Sequence, residues 1–499
     1  MSILGLDIGT TGCKCTIFTE TGITLSAAYI EYPVDTPAPG YYELNPLKVW
    51  NAVKTVIGST AKAVAHDKPI ALSISSFGEA CVPIDKNGNI LYSSILYMDE
   101  RGSEQAARME ERLGRDKIME LTGVPCHSMY TINKVTWIKD HLPEIFNNTW
   151  KFLLYGDYIS FMLTGQTYID YSLASRTMAL NVKTKKWESE IFNAAGIDMG
   201  YFSEPVPTAV TIGNIRGKIA DELGLPKDLL VATGGHDQIC AAVGGGITTC
   251  GNAIDGIGSV ECITPVFNKP MLNRLMADGG YACVPHAIEG MYATYAFNFT
   301  GGSLLKWFRD NFAAAELDAA RKSGKSVYSI LDGKATGEPS GILVLPHFAG
   351  AGTPYMDTKA KGAVIGLDFS VTAGRLYRAM LEGITYEMLY NMDYLKKAGI
   401  EIHTLSAVGG GSKSELWLQI KADITGRKVI ALEVEEAGTL GTAIFAGTAA
   451  GIYRSVNEAV SQLVKVRKEF YPDEKTHQIY LEYYEKYKKV YQSIKELIR

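Results

Sequence analysis

Apolar and polar positions alternate most clearly at the start of the chain. Ile3–Ile8 reads as a strand, Gly9–Gly12 as a tight turn, and Cys13–Phe18 as a second strand that returns beside the first. The glycines permit this turn, and the N–H groups of such a turn can converge on an anion. The pattern therefore predicts a β-hairpin that can bind phosphate, with an ordinary hairpin as the alternative.

The polar residues around this turn suit phosphate chemistry. Thr10 and Thr11 would add hydroxyl donors, and Lys14 would add a positive charge beyond the turn. Asp7, at the end of the first strand, could hold a hydrated magnesium ion, because carboxylate oxygens and water are usual magnesium ligands. The alternative for Asp7 is a buried or surface acid with no ligand.

Helices and strands alternate through the rest of the first half. Asn45 and Pro46 have the character of a helix start, and Ile70–Ser75 reads as a short apolar strand. From Asp99 to Phe192 the pattern is mostly helical. Hairpins followed by alternating helix and strand predict a mixed sheet with helices packed on it.

The second half repeats this mixed pattern. Tyr292–Phe297 and Leu405–Val408 read as strands, Gly374–Ala398 as a long helix, and the tail Arg467–Arg499 ends in a helix. Gly409–Ser414 joins a strand to a helix, so its N–H groups favour an anion or leave room for a flat ring. A close helix–strand junction without a ligand is the alternative.

A degenerate repeat relates the two halves. Asp7-Ile-Gly-Thr-Thr-Gly12 is echoed by Asp255-Gly-Ile-Gly-Ser259, about 250 residues later. Duplicated halves with one phosphate hairpin each would let two domains close on one nucleotide, although glycine–hydroxyl turns also recur by chance. We therefore predict two domains, residues 1–245 and 246–499.

Composition narrows the class of protein. The chain has 499 residues, 46% hydrophobic and 21% charged, which is typical of a soluble globular protein with more than one domain. A net charge of −5 argues against a nucleic-acid surface. The eight cysteines include no CxxC pair, so we expect reduced thiols and a cytoplasmic location. No signal peptide or bilayer-length apolar run is evident, and we expect no membrane partner.

Four acids and a histidine are candidates for catalysis or binding. Asp237 follows Gly234-Gly-His at the end of a strand, where it could accept the proton of an attacking hydroxyl, or simply cap a helix. For His236 we favour a packed, hydrogen-bonded ring. Glu79 could accept hydrogen bonds from substrate hydroxyls or be a solvated loop acid, whereas Asp99 is expected to pair with Arg101. Glu261 is a further candidate for binding the same substrate as Glu79.

With these motifs assembled, the chain resembles the FGGY carbohydrate kinases, which include xylulokinase, gluconokinase and glycerol kinase. The likeness runs from Gly5 to about Gly451. It is carried by the segments Met129–His141, Gly156–Gly165 and Gly362–Leu367, the last continuing to Ala379–Glu382. Arg375 departs from the second family signature, which usually has an acid, an amide or a histidine there.

The resemblance implies an α/β fold of two ribonuclease-H-like domains, of the actin and sugar-kinase type, with a cleft between them. It implies ATP and Mg²⁺ as cofactors, a small sugar as substrate, and a homodimer as one option for assembly. It assigns Asp237 as catalytic base and Asp7 to magnesium. It assigns Thr10, Thr11, Lys14, Gly256, Gly258 and Ser259 to the phosphates, Gly302, Lys306, Gly410, Gly411 and Ser414 to adenosine, and Gly78, Glu79, Asp237 and Gln238 to the sugar.

Two replacements argue against glycerol as the substrate. Gly78 stands in place of an arginine of glycerol kinase and should leave room for a longer molecule, and Met129 replaces an aromatic contact. We expect a ketopentose such as xylulose, with gluconate or another ketose or polyol as alternatives. Gluconate is less favoured because the sequence reveals no cation near Glu79. A non-catalytic nucleotide-switched scaffold is the alternative from another functional class.

Overall fold

Two large mixed sheets form the framework of the computed structural model, which describes residues 1–64, 66–434 and 436–497. The strands are β1 Ser2–Ile8, β2 Gly12–Thr19, β3 Thr24–Glu31, β4 Glu43–Leu44, β5 Pro69–Ser76, β6 Cys81–Ile84, β7 Ser94–Ile95, β8 Lys151–Leu154, β9 Tyr168–Asp170, β10 Glu204–Val206, β11 Thr211–Asn214, β12 Leu230–His236, β13 Asn252–Ile257, β14 Glu261–Phe267, β15 Val284–Pro285, β16 Tyr292–Ala293, β17 Ala296–Asn298, β18 Leu343–Leu345, β19 Ala363–Ile365, β20 Thr404–Val408, β21 Lys428–Leu432 and β22 Val466–Phe470.

The two sheets share a central arrangement. The first has the order β11-β12-β5-β1-β2-β3, and the second has the order β15-β16-β14-β13-β20-β21-β22 with β17 also paired to β14. In the first, β1 pairs antiparallel with β2 and parallel with β5. In the second, β13 pairs antiparallel with β14 and parallel with β20. The predicted mixed sheets are therefore confirmed, and each repeat hairpin lies at the centre of its sheet.

Helices cover the faces of both sheets. They are α1 Pro46–Ala63, α2 Ser103–Leu113, α3 Arg115–Thr122, α4 Thr131–His141, α5 Pro143–Asn148, α6 Tyr155–Thr164, α7 Tyr171–Ser175, α8 Ser189–Ala195, α9 Gly217–Leu223, α10 Asp237–Gly244, α11 Arg274–Asp278, α12 Gly302–Phe312, α13 Ala314–Ser323, α14 Val327–Lys334, α15 Ala373–Lys397, α16 Glu415–Thr425, α17 Ala437–Ala449, α18 Val456–Leu463 and α19 Glu474–Ile494, with 3₁₀ turns at Met199–Tyr201 and Gly410–Lys413. No helix in the described ranges is both long and apolar enough to cross a bilayer.

The start of α1 shows how the sequence fixes an element boundary. Asn45 Oδ1 accepts hydrogen bonds from the N–H groups of Leu47 at 3.0 Å and Lys48 at 3.2 Å. Pro46 occupies the first turn, where its missing N–H costs nothing. Val49, Val53 and the other buried residues on one face of α1 then pack on the first sheet. The helix start predicted at Asn45 and Pro46 is confirmed.

Helix α17, although it comes from the second half of the chain, packs against α10 and against β1, β5 and β12 of the first sheet. Small residues allow this approach. A Cβ at Gly441 would lie 1.9 Å from the carbonyl oxygen of Cys240, and a Cβ at Gly5 would lie 2.1 Å from that of Thr439. The division at residue 245 stays a prediction. Helix α17 follows that residue in the chain but packs on the sheet built from the residues before it.

One predicted strand is interrupted. Tyr292–Phe297 was expected to be continuous, but the structure has two short strands, β16 and β17, with Thr294 and Tyr295 between them. The two pieces pair with different parts of β14, β16 with Val266 and Phe267 and β17 with Glu261 to Ile263. The interruption allows Tyr295 to reach across to His236 in the first half.

Candidate active site

The first glycine hairpin presents backbone donors at its tip. The hydroxyl of Tyr32 donates to the carbonyl oxygen of Gly9 at 2.6 Å and lies 3.0 Å from that of Gly12. Gly9 N–H also donates to Gly12 O at 2.8 Å, so both turn carbonyls are engaged. Across the described ranges, the N–H groups of Thr10 and Thr11 have no hydrogen-bond partner. A turn with engaged carbonyls and unpaired N–H groups suits an anion.

Asp7 lies in β1 directly opposite Lys14 of β2. Burial raises the pKa of Asp7, the neighbouring hydroxyl of Ser75 lowers it, and the nearby Glu436 raises it further. Within the described part of the chain, Asp7 Oδ1 is buried without a partner. Lys14 forms an ion pair with Glu436, just before α17. The predicted phosphate ligand Lys14 is thus held by a carboxylate that the sequence analysis did not identify.

The second hairpin is fixed to the start of α12. Gly302 N–H donates to Gly258 O at 2.8 Å, and Ser303 N–H donates to Ser259 O at 3.1 Å. Gly258 and Ser259 themselves are exposed, so the hydroxyl of Ser259 can be reached from outside. Gly256 precedes them in β13, opposite Cys262. The structure therefore brings the predicted phosphate residues 256–259 against Gly302, and their roles stay a prediction.

Asp255 shares its sequence context with Asp7 but not its surroundings. Its Oδ2 lies 2.8 Å from Lys421 Nζ, and Lys421 also forms an ion pair with Glu261. All three side chains are fully buried, and burial raises the pKa of Glu261 to about 8. Glu261 therefore belongs to a buried charged triad, Asp255, Glu261 and Lys421, and does not open on a cleft.

Three of the predicted adenosine residues lie beside the second hairpin. Gly302 contacts Gly258, Gly411 packs on the side chain of Ile257, and Gly410 has open space where a side chain would lie. The other two are engaged elsewhere. Lys306 is exposed and lies 3.1 Å from Asp310, while Ser414 caps α16 by accepting from Trp417 N–H at 3.1 Å.

Asp237 begins α10 immediately after β12, and its side chain is 34% exposed. Burial of the carboxyl group, the carboxylate of Asp7 and, to a lesser extent, Glu79 raise its pKa to about 7. Its Oδ1 accepts from Gln238 N–H at 2.6 Å and lies 3.3 Å from His236 Nε2. A partly exposed carboxylate of this pKa can accept a proton near neutral pH.

His236 is packed and hydrogen-bonded, as predicted. Its Nδ1 lies 3.1 Å from the hydroxyl of Tyr295, and burial together with Arg176 lowers its pKa well below the usual value. The ring is therefore neutral at physiological pH. Tyr295 comes from the second half of the chain, so this contact joins the two halves next to Asp237.

Glu79 is held by a cation that the sequence did not reveal. Arg176 Nε donates to Glu79 Oε1 at 2.6 Å, and Arg176 Nη2 contacts the same oxygen. The space expected beside Gly78 is also filled by Arg176, because a Cβ at Gly78 would lie 2.7 Å from Arg176 Cγ. The prediction that Gly78 leaves room for a longer substrate is therefore wrong.

Tyr97 is a further residue that the sequence analysis missed. Burial and the carboxylates of Glu79 and Asp237 raise the pKa of its phenol, whereas the hydroxyl of Thr10 lowers it. Tyr97 is 39% exposed. Tyr97 thus lies within electrostatic range of both acids and is itself partly accessible.

Asp99 and Arg101 have the expected structural role. Arg101 Nη2 lies 2.6 Å from Asp99 Oδ2, and Arg101 Nη1 lies 2.8 Å from Glu43 Oε1. Both Asp99 and Arg101 are buried. Their charges satisfy each other, so neither is available to a ligand.

Comparison with known proteins finds matches over almost the whole chain. Two models match, the FGGY family of carbohydrate kinases N-terminal domain over residues 2–244 and the corresponding C-terminal domain over residues 266–450. A xylulose kinase of Bacillus subtilis is 29% identical, covering 99% of this chain and 97% of the relative. A gluconokinase of Bacillus licheniformis is 30% identical, covering 90% and 88%. The structure of a ligand-bound xylulose kinase from Lactobacillus acidophilus has a TM-score of 0.89 at 24% identity, covering 99% and 98%.

Proposed function

Because the chain belongs to the FGGY family of carbohydrate kinases, which are phosphotransferases with an alcohol group as acceptor, we propose that it phosphorylates a ketopentose such as xylulose with ATP. The observation that carries the proposal is a partly exposed carboxylate of pKa about 7, Asp237, beside the first glycine hairpin and the Glu79–Arg176 pair. Family membership argues against the non-catalytic scaffold.

In this proposal Asp237 accepts the proton of the attacking sugar hydroxyl. The proton leaves the hydroxyl oxygen as that oxygen bonds to phosphorus, and it passes to the Asp237 carboxylate. Thr10, Thr11 and Ser259 hold the phosphate oxygens through N–H and hydroxyl groups. Lys14 can contact the phosphate oxygens only if its ion pair with Glu436 breaks, because its ammonium group is paired with that carboxylate.

Asp7 is the residue that fits magnesium. Its Oδ1 is buried without a partner in the described ranges, and those ranges contain no cluster of three or more acids, histidines or cysteines that could hold a metal alone. Magnesium commonly takes one or two carboxylates with phosphate oxygens and water, which matches a single acid here. When bound, it neutralises negative charge on the phosphoryl oxygens.

The domain roles remain proposals as well. We assign the sugar to residues 1–245, which hold Glu79, and the nucleotide mainly to residues 246–499, which hold Gly410 and Gly411. Closure of the cleft would then exclude water during transfer. A cytoplasmic location is part of the same proposal, because all eight cysteines are free.

A sugar panel assayed by coupled ADP release tests the substrate. We expect kcat/KM to be highest for a ketopentose, lower for alditols of five or six carbons, and lowest for gluconate and glycerol. The highest value with gluconate would favour the gluconokinase alternative. ATP consumption unaffected by any sugar would contradict the proposed function.

Replacing one hydroxyl of each hairpin should weaken productive use of ATP. One charge-assisted hydrogen bond is worth roughly 1.5–3 kcal/mol, so Thr11→Val and Ser259→Ala should each lower kcat/KM for ATP by about ten- to a hundredfold. Thr24→Val, on the exposed strand β3, is the matched control and should change little. Parent-like kinetics in both hairpin variants would rule out the two-hairpin phosphate site.

A further inference from the structure

The two ring nitrogens of His236 face different halves of the chain. Nε2 lies 3.3 Å from Asp237 Oδ1, and Nδ1 lies 3.1 Å from the hydroxyl oxygen of Tyr295. The backbone of His236 is fixed as well, because its N–H donates to Ser172 Oγ at 2.8 Å. The imidazole therefore connects a phenol of the second half to the carboxyl group of Asp237.

The two neighbours of the ring select one tautomer. The imidazole is neutral, so it carries one N–H, and the carboxylate of Asp237 stabilises the form in which that hydrogen is on Nε2. Nδ1 then accepts a hydrogen bond from Tyr295, whose phenol stays protonated because burial raises its pKa well above the usual value. Tyr295 thus donates to His236, and His236 directs its Nε2–H towards Asp237.

The protein contacts of the Asp237 carboxyl group fall on one of its two oxygens. Oδ1 accepts from Gln238 N–H at 2.6 Å and is also the oxygen nearest to His236 Nε2. Within the described ranges, Oδ2 accepts no hydrogen bond from the protein. The 3.3 Å contact is long, as catalytic hydrogen bonds commonly are before the substrate is bound. A carboxylate held at Oδ1 in this way leaves Oδ2 open.

We propose that Tyr295 and His236 position the catalytic base through a relay of two hydrogen bonds, from Tyr295 to His236 Nδ1 and from His236 Nε2 to Asp237 Oδ1. Both are positioning residues, because they act through Asp237. The proton of the sugar hydroxyl then moves to Oδ2, while the hydroxyl oxygen bonds to phosphorus and the bond from phosphorus to the ADP oxygen breaks. The inference rests on the proposed function, in which Asp237 is the base.

The pH dependence of activity reports this relay. A hydrogen-bond donor on Oδ1 stabilises the ionised carboxylate, so its loss should raise the pH at which the base becomes protonated. The variants below leave the other groups around the carboxyl group unchanged, and those groups are Asp7 of β1, Glu79 after β5, Tyr97 after β7, Arg176 after α7, Cys240 of α10 and Cys262 of β14. Burial raises the pKa values of this phenol and the two thiols, which therefore stay uncharged near neutral pH.

Removing the ring nitrogens tests the relay. His236→Phe keeps an aromatic ring but loses both nitrogens, so we expect kcat to fall about tenfold and the acidic limb of the kcat/KM profile to move up by about one pH unit. The KM for ATP should stay within about twofold. His236→Gln supplies an amide donor in place of Nε2 and should restore most of kcat. His286→Phe is the matched control, because it removes another buried, neutral histidine and should leave the profile unchanged.

Tyr295→Phe removes only the phenol oxygen and leaves His236 free to change tautomer. We expect kcat to fall about threefold, with a smaller shift of the acidic limb in the same direction. Adding this change to His236→Phe should cause no further loss, because Tyr295 acts through the histidine. Tyr281→Phe breaks a buried hydrogen bond of 2.7 Å from a phenol to Asn391, and as the matched control it should leave kcat unchanged.

Nitrogen NMR of the protein labelled at histidine gives a readout that needs no activity. The signal of His236, assigned by its absence from His236→Gln, should show the hydrogen on Nε2 in the parent. Tyr295→Phe should increase the fraction with the hydrogen on Nδ1. A parent ring protonated on Nδ1 would contradict the relay.

Two kinetic results would also overturn the inference. One is a folded His236→Phe protein, checked by circular dichroism, whose kcat and acidic limb match those of the parent. The other is a double variant whose loss equals the product of the two single losses, since the residues would then act independently. If the histidine variants do not fold, Tyr295→Phe decides, and a parent-like profile excludes the relay. Failure of the proposed function is distinct, because the parent itself would then show no sugar-dependent ADP release.

Discussion

Asp237→Asn should lower kcat for sugar phosphorylation by about 10²–10⁴-fold, the usual contribution of a general base. Asparagine has nearly the same shape as aspartate and can still accept from Gln238 N–H, but it cannot take a proton at neutral pH. Nucleotide binding, measured by calorimetry with ADP, should change little. Asp221→Asn, at an exposed ion pair, is the matched control and should leave kcat unchanged.

The pH dependence gives this prediction a second readout. The base must be ionised, and the pKa of Asp237 is about 7, raised mainly by burial. In the parent, kcat/KM should therefore fall about tenfold per unit as pH drops below 7. Any residual activity of Asp237→Asn should lack this step. Near-normal turnover in the variant at saturating sugar and ATP would exclude Asp237 as the base.

The same pKa also separates loss of activity from loss of folding. The folded-state pKa lies above the ordinary value of 3.8, so the folded protein binds more protons than the unfolded chain between those two values. The contribution of Asp237 to the free energy of unfolding therefore falls as pH rises from about 4 to 7. Asp237→Asn removes this penalty, and its Tm at pH 8 should be no lower than that of the parent.

Lys421→Met should destabilise the protein by about 3–5 kcal/mol, the cost of removing one partner of a buried charged group. The substitution leaves the carboxyl groups of Asp255 and Glu261 buried without their cation. Equilibrium unfolding in urea measures the loss. Because these acids lie in the strands of the second hairpin, the KM for ATP should also rise.

Two further variants separate charge from packing. Adding Asp255→Asn and Glu261→Gln to Lys421→Met removes the orphaned carboxyl groups and should recover most of the lost stability. Lys396→Met, at an exposed pair with Glu401, should change the free energy of unfolding by less than about 1 kcal/mol. A similarly small change for Lys421→Met would contradict the importance of the triad.

The parts of the site that the sequence predicted are local in the chain. The first hairpin, the acid after β12 and the glycine turn after β20 each depend on residues within a few positions of one another. Arg176 is 97 residues from Glu79, and Lys421 is 160 residues from Glu261. No spacing rule joins residues so far apart, so their pairing became visible only in the folded chain.

The two acids that match in the sequence repeat have different neighbours in the structure. Asp7 and Asp255 occupy matching places in the repeat, and both follow the same strand pattern. Lys14 stands opposite Asp7 in β2, whereas Ile263 stands opposite Asp255 and the cation comes from α16. The motif predicted the hairpin at both places, but the partners of each acid depend on which helix packs on that sheet.

The position of α17 has a consequence for synthesis on the ribosome. When residue 245 has been made, the face of β1 and β5 that α17 will cover is still bare, because Ala437–Ala449 has not yet emerged. The packing of the first sheet is therefore complete only when residues as distant in sequence as Gly5 and Thr439 have come into contact. Contacts of such long sequence separation form slowly, and the exposed apolar face can associate with other chains meanwhile. A nascent chain stalled before residue 437 should therefore bind chaperones, and release should follow translation of α17.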